Sequence, residues 1–268
     1  MAVTTDLWTY RGLIGNLAQR ELKARYKRSV LGWGWSLINP ATTLLTYAVV
    51  FGTLLKVQPP VAGNGHLKNF ALYLFAGLVI WNFWLAIVTG AMGSLIGAGP
   101  LLRKVYFPAE CPVAANCLVA LSQTAIEVSI LIAIMIAVGN VSWTFLFVPV
   151  IFLLLMLFST GVALVLSLIN VYYRDIQYLV QVGMNVLFYG TPIVYTLALV
   201  EANAPKPIEL IVKLNPLTQF VGAMRNAVYN LKAPSAAQLG YLTVVSIATL
   251  LIGWMIFRRY SAMVSEEL

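Results

Sequence analysis

The chain is poor in the residues from which enzymes build reactive sites. Of its 268 residues, nine are acidic, two are cysteine and one is histidine. So few groups cannot supply a metal-ligand cluster, a nucleophile elbow or a carboxylate pair within one segment, so hydrolytic and transferase chemistry is left almost without candidates. No Gly-Lys pair occurs, which excludes a phosphate-cradling Walker A loop. Cys111 and Cys117 stand six apart on different faces of a predicted helix and read as buried thiols rather than a disulfide. Charge itself is scarce. Charged residues make up 10% of the chain against 60% hydrophobic, and the mean hydropathy of +0.86 lies outside the soluble globular range. The net charge of +8 points to an inner membrane face and anionic lipid rather than nucleic acid, because 11 of the 17 Lys and Arg fall in segments expected on the cytoplasmic side.

What is present is a series of long apolar runs set off by short polar breaks. Residues 20–40, RELKARYKRSVLGWGWSLINP, place Arg20, Lys23, Arg25, Lys27 and Arg28 just before a Trp-rich entry to an uncharged stretch. Lys and Arg beside a span stay in the cytoplasm and Trp suits the headgroup layer, so this stretch sets the direction of every later crossing. Before it, Leu7, Tyr10, Ile14, Leu17, Ala18 and Leu22 recur at helical spacing opposite Arg11, Gln19, Arg20, Lys23 and Lys27. That pattern describes an amphipathic helix in the membrane surface, too polar to cross. Residues 1–30 are therefore expected to form an interface helix, and 31–268 a transmembrane domain.

A span needs about 20 apolar residues. The runs that qualify are residues 32–55, 70–95, 112–138, 141–171, 178–199 and 234–257. Between the last two, the apolar pieces of residues 206–230 are too short to cross and are interrupted by Lys213 and Arg225, so they read as helices re-entering from the outside. The expected fold is an all-α integral membrane protein with six crossings, both ends in the cytoplasm. Ala86, Gly90, Gly93 and Gly97 form a small-residue stripe that lets another helix approach closely. Glu127 is an intramembrane acid with Gln123 one turn before it; a functional role and a simple shared hydrogen bond both remain open.

RELKARYKRSVLGWGWSLINP, GLVIWNFW, LLRKVYFPAE, YYRDIQYLVQVG with FYGTPIVY, and NPLTQFVGAMRN, in this order over nearly the whole chain, resemble the membrane subunit of the ABC-2 type polysaccharide exporters. Those are permeases for lipid-linked O-antigen, capsule, galactan and teichoic-acid polymers. The resemblance implies a homodimer in a bacterial plasma membrane, each copy docked on a separate ATP-binding subunit that carries the ATP and magnesium, with no cofactor on this chain. It implies docking through the N-terminal helix, through Leu101–Pro108 (Arg103, Lys104, Tyr106, Phe107) and through Arg174 and Asp175, although that adjacent pair could instead cap the next helix.

The same resemblance sends the glycan between the two halves. Aromatic faces pack on sugar rings while Tyr and Trp exchange hydrogen bonds with hydroxyls, so stripes of such residues suit a slippery wall. The candidates are Trp33, Tyr47 and Phe51 in the first span, Phe70, Tyr73, Trp81 and Trp84 in the second, and Phe188 and Tyr195 in the fifth; each ring could equally be a packing residue or an interface anchor. Asn215, Pro216 and Arg225 are expected to shape an outer gate. Three rivals are a drug or small-lipid efflux permease of the same superfamily, a proton-coupled transporter using Glu127, and a membrane glycosyltransferase for which only Glu110 and Asp175 are at hand.

Overall fold

The fold is built around one helix. Residues 69–102 carry no charge, and a helix apolar on every side must be enclosed by protein or lipid. In the computed structural model, which describes residues 8–27, 29, 31–54, 60–105 and 107–267, that stretch is α3 (Phe70–Gly97), started by Asn69, whose side chain accepts from the Leu72 amide at 3.2 Å. Around α3 are α5 (Glu110–Ala137), α6 (Phe147–Tyr172) and α10 (Pro216–Val228). The other elements are α1 (Arg11–Tyr26), α2 (Trp35–Tyr47, continued as a π-helix over Ala48–Leu54), α4 (Gly99–Leu102), α7 (Ile176–Tyr189), α8 (Leu197–Asn203), α9 (Lys206–Leu214) and α11 (Ala236–Glu267). Among the described residues there is no strand.

Among the described residues, five helical stretches are long and apolar enough to cross a membrane: Trp35–Leu54, Phe70–Gly97, Glu110–Ala137, Trp143–Tyr172 and Ala236–Ser261. The stretch expected to cross at 178–199 differs. Its helix α7 stops at Tyr189 after 14 residues, and the chain turns through Gly190, Thr191 and Pro192 before α8. Pro192 has no N–H and disfavours a helical Thr191, which ends the helix inside an apolar run. The last helix runs on past Arg258 and Arg259 instead of ending at residue 257.

α6 and α11 form the most extensive helix pair, and glycine sets their approach. A Cβ on Gly253 would collide with the Gly161 carbonyl, and a Cβ on Gly161 with that of Thr249. Backbones this close exchange dispersion contacts that lipid tails cannot replace. The Ala86–Gly97 stripe is used only in part: Gly90 lies against Asn116 of α5, while Gly93 and Gly97 face open space.

α1 is docked lengthwise on α5. Ile14, Leu17 and Ala18 bury against Phe107, Cys111, Ala115 and Val119, with Tyr10, Leu13 and Leu22 alongside. The apolar face expected to lie in the membrane surface is thus occupied by protein, because α5 offers small and apolar side chains at matching spacing.

The end of the bundle at which α5 passes into α6 is held by polar side chains. Asn140, in the turn between α5 and α6, is fully buried; its amide donates to the carbonyls of Val228 (2.9 Å) and Tyr229 (3.1 Å), and its oxygen accepts from the Asn64 amide (3.2 Å). Gly139, with φ 71°, supplies the left-handed residue that this turn needs. The Tyr229 hydroxyl donates to Pro60 and accepts from the Asn69 amide. Asn140→Leu removes the partner of the buried Val228 carbonyl and of the Asn64 amide, while the Tyr229 carbonyl keeps the Gly63 amide, and we expect it to cost about 1–3 kcal/mol, read as a fall in melting temperature in detergent.

Candidate functional site

The half of the molecule around α10 is organised by a buried guanidinium. Arg225 of α10 is 4% exposed; its Nε donates to the Tyr73 carbonyl (3.1 Å), Nη1 to the Tyr73 hydroxyl (3.3 Å) and the Pro192 carbonyl (2.6 Å), and Nη2 to the Ile193 carbonyl. The plane also lies 3.9 Å from the Tyr73 ring centroid. Arginine suits this because its planar fork can serve several carbonyls at fixed angles. Gly77 makes room: a Cβ there would sit 2.9 Å from Nη2. Asn215 adds a second tie, donating to the Thr191 hydroxyl at 3.1 Å while its oxygen caps α10 at Leu217; Pro216 takes the first helical position, where its missing N–H costs nothing. The three gate candidates therefore meet at one place, the break after α7.

The aromatic candidates fall into two classes. Phe70, Tyr73, Trp81 and Trp84 are buried within this single chain. Tyr47, Phe51, Phe70, Tyr73 and Tyr229 form a continuous series with centroids 5.1–6.2 Å apart, Trp81 meets Phe188 edge-on at 5.3 Å, and Trp84 stacks on Phe158 at 5.2 Å. These rings are core here. Tyr195 is half-buried and donates to the Tyr189 carbonyl at 2.7 Å. The ring of Trp33 lies outside the described residues. Two rings that the sequence reading passed over, Tyr178 and Tyr189, are instead among the most exposed; eleven residues apart, they share one face of α7 with the exposed Val182 and Asn185.

Beyond the other end of α3, Arg103 and Lys104 are exposed after α4, whereas Phe107 is buried against α1. Phe107 thus braces the turn to the N-terminal helix rather than standing out from it. Tyr106 lies outside the described residues. Arg174 and Asp175 are exposed, and Asp175 occupies the N-cap position of α7 without a side-chain capping bond.

Glu127 accepts from Asn82 of α3 at 3.3 Å, and Gln123 accepts from Arg25 of α1 at 2.7 Å. Neither Asn82 nor Arg25 could be paired with α5 from spacing, since they stand 45 and 98 residues away. No group of three or more potential metal ligands occurs among the described residues.

A family model described as ABC-2 type transporter matches residues 13–229. The chain belongs to that family. Among ABC-2 type relatives, it is 29% identical over 253 residues to the O-antigen export system permease protein RfbA of Myxococcus xanthus, covering 94% of each chain. A protein of the same name from Klebsiella pneumoniae is 26% identical over 255 residues, covering 94% of this chain and 93% of the relative. The polysialic acid transport protein KpsM of Escherichia coli is 24% identical over 254 residues, covering 92% of this chain and 93% of the relative. The match with the ABC-2 model ends at Tyr229, so it takes in the Arg225 clamp, the α7 break and α1, and leaves out α11.

Proposed function

We propose that this chain is the membrane subunit of an ATP-driven exporter that carries a lipid-linked polysaccharide from the cytoplasm across the bacterial plasma membrane. The observation that carries the reading is the end-to-end match with O-antigen export permeases, at 94% of both chains for one of them. In this reading two copies work together, each on its own ATP-binding subunit, which holds the ATP and magnesium. The unpartnered apolar faces of α2 (Leu37, Leu45, Val49) and α7 (Leu179, Val182, Val186) support a second copy, since such surface in one region calls for a partner or lipid.

The path of the chain supports six crossings with both ends inside. Phe188, next to the last residue of α7, meets Trp81, which is eleven residues and so roughly 17 Å along α3 from its outer end. α7 therefore ascends only part of the way. Asn215 sits beside Thr191 at that depth, and from there α10 climbs to Tyr229 at the rim, beside Asn69. The pair α9 and α10 is thus a re-entrant hairpin, pinned at its foot by Gln219 to the Lys213 carbonyl (2.7 Å) and by Lys213 to Glu201 (2.8 Å) and Glu209 (2.7 Å).

Transmission from the motor falls to the exposed inner turns, Arg103 and Lys104 on one side and Arg174 and Asp175 on the other, with α1 and Phe107 making a rigid block of the first. Purification in mild detergent should bring down an ATPase with this chain. The double reversal Arg103→Glu, Lys104→Glu should cut export at least tenfold at unchanged permease level; a lone permease, or full export by that variant, counts against the assignment. Export should also survive collapse of the proton gradient while ATP is kept constant, which a transporter driven through Glu127 could not do.

A further inference from the structure

We infer that the cleft between α1, the last turns of α3 and the start of α5 is a binding site for an anionic phospholipid of the surrounding bilayer. The site requires only that α3 crosses the membrane, and not that the protein exports a polymer. The cleft has a volume of about 700 Å³, within the range of ligand-binding clefts. Arg20 and Ala24 line it from α1, Gly93 and Gly97 from α3, and Pro112 and Ala115 from α5. Packing within the chain requires neither glycine, because a Cβ on either would meet nothing within 4 Å. A glycine inside a helix is unfavourable against alanine, so the two keep a floor bare of side chains for something from outside the chain.

Depth and charge select the ligand. Counted from Phe70, Gly90 stands roughly 30 Å along α3 and Gly97 roughly 40 Å. The hydrocarbon layer is about 30 Å thick and the whole bilayer about 40–45 Å, so the cleft lies at the level of lipid phosphates and glycerols. The dipoles of α3 and α5 meet there with opposite sign, the one helix ending and the other beginning, which leaves the field to side chains. Arg20 supplies it. Its guanidinium has no ion pair or hydrogen bond among the described residues, and Lys23 and Lys27 are exposed further along the same helix. Glu21, the acid in the wall, stands 3.9 Å from Arg25, which offsets its charge. A lipid phosphate takes two parallel hydrogen bonds from the Arg20 fork, while the first methylenes of its acyl chains lie on Leu17, Ala24 and Ala115. A neutral lipid leaves Arg20 unanswered, and a zwitterionic headgroup brings a cation of its own to a basic helix. Because α1 rests on α5, a lipid in the cleft joins it to α3 as well.

The test uses the full-length protein, with any subunit that copurifies, in phosphatidylcholine nanodiscs doped with a small amount of one photoreactive probe. Two probes are compared, phosphatidylglycerol and phosphatidylcholine carrying the same diazirine acyl chain, and the labelled peptides are mapped by mass spectrometry. Phosphatidylglycerol should label residues 90–98 and 112–116 about fivefold more than phosphatidylcholine does, the increment expected from one basic residue facing an anionic lipid. The exposed α6 positions Val150 and Leu153 should show no preference. Arg20→Gln should cut the preference below twofold, whereas Lys27→Gln should keep most of it. Gly93→Leu fills the floor without touching the chain, so it should lower capture of both probes in the cleft about fivefold at wild-type melting temperature. Equal labelling by the two probes, an undiminished preference in Arg20→Gln, or undiminished capture in Gly93→Leu overturns the site. So does cross-linking of one copy to another through Gly93→benzoylphenylalanine, which gives the cleft to a second copy. Displacement of the phosphatidylglycerol probe by added lipid-linked glycan makes it a cargo site and also removes the resident lipid.

Discussion

Arg225→Met should unfold the half of the permease around α10 and abolish export. The side chain it removes serves two backbone carbonyls, Pro192 and Ile193, in a turn that has left the helical ladder, together with the Tyr73 carbonyl and hydroxyl. Methionine matches the length but donates nothing. Stranding these buried acceptors costs roughly 3–5 kcal/mol, a large share of the 5–15 kcal/mol that holds a typical domain together. Arg225→Lys keeps the charge but offers a compact ammonium in place of the fork, so it should recover less than half of the loss. Melting in detergent and export in cells report the two effects together. Wild-type melting in both variants would show that the turn stands without the clamp.

The second large effect is expected at the α6–α11 crossing, where a single methyl is enough. Gly253→Ala drives Cβ into the backbone carbonyl of Gly161, an atom that cannot rotate away, so the helices must part along their length. Overpacking of this kind costs about 1–3 kcal/mol, and loss of the close approach weakens the association further. Membrane yield and melting temperature should both fall. Gly240→Ala, on the same helix with nothing within 4 Å, is the control with opposite sign: removing a helical glycine should be neutral or stabilise by up to about 1 kcal/mol. Equal behaviour of the two variants would contradict the crossing geometry.

The parts of the fold that could be read in the sequence are those governed by local periodicity. The helical period of α1, the uncharged length of α3 and the Gly139–Asn140 turn all follow from spacing and composition, although the apolar face of α1 packs on α5 and not on the membrane surface. The break after α7 was hidden because FYGTPIVY is as apolar as the helix before it, and hydropathy does not register the proline that ends it. Arg225 stood out as a charge in an apolar segment, but its partner Tyr73 is 152 residues away and no spacing rule links them. The α3 aromatics show the opposite limit. Their helical spacing is correct, yet α3 is buried at every position from Phe70 to Trp81, so periodicity could not tell a wall from a core. Tyr178 and Tyr189 lie within the same expected span, and their exposure depends on which neighbours α7 has, which spacing does not give.

The short helix α7 has a consequence for how far cargo must travel. Fourteen residues rise about 21 Å, against a hydrocarbon layer of about 30 Å. Above Tyr189 the chain continues as a buried turn whose carbonyls are tied down by Arg225. If two copies pass a polymer beside α7, as proposed, the helical wall they offer it ends roughly two-thirds of the way across.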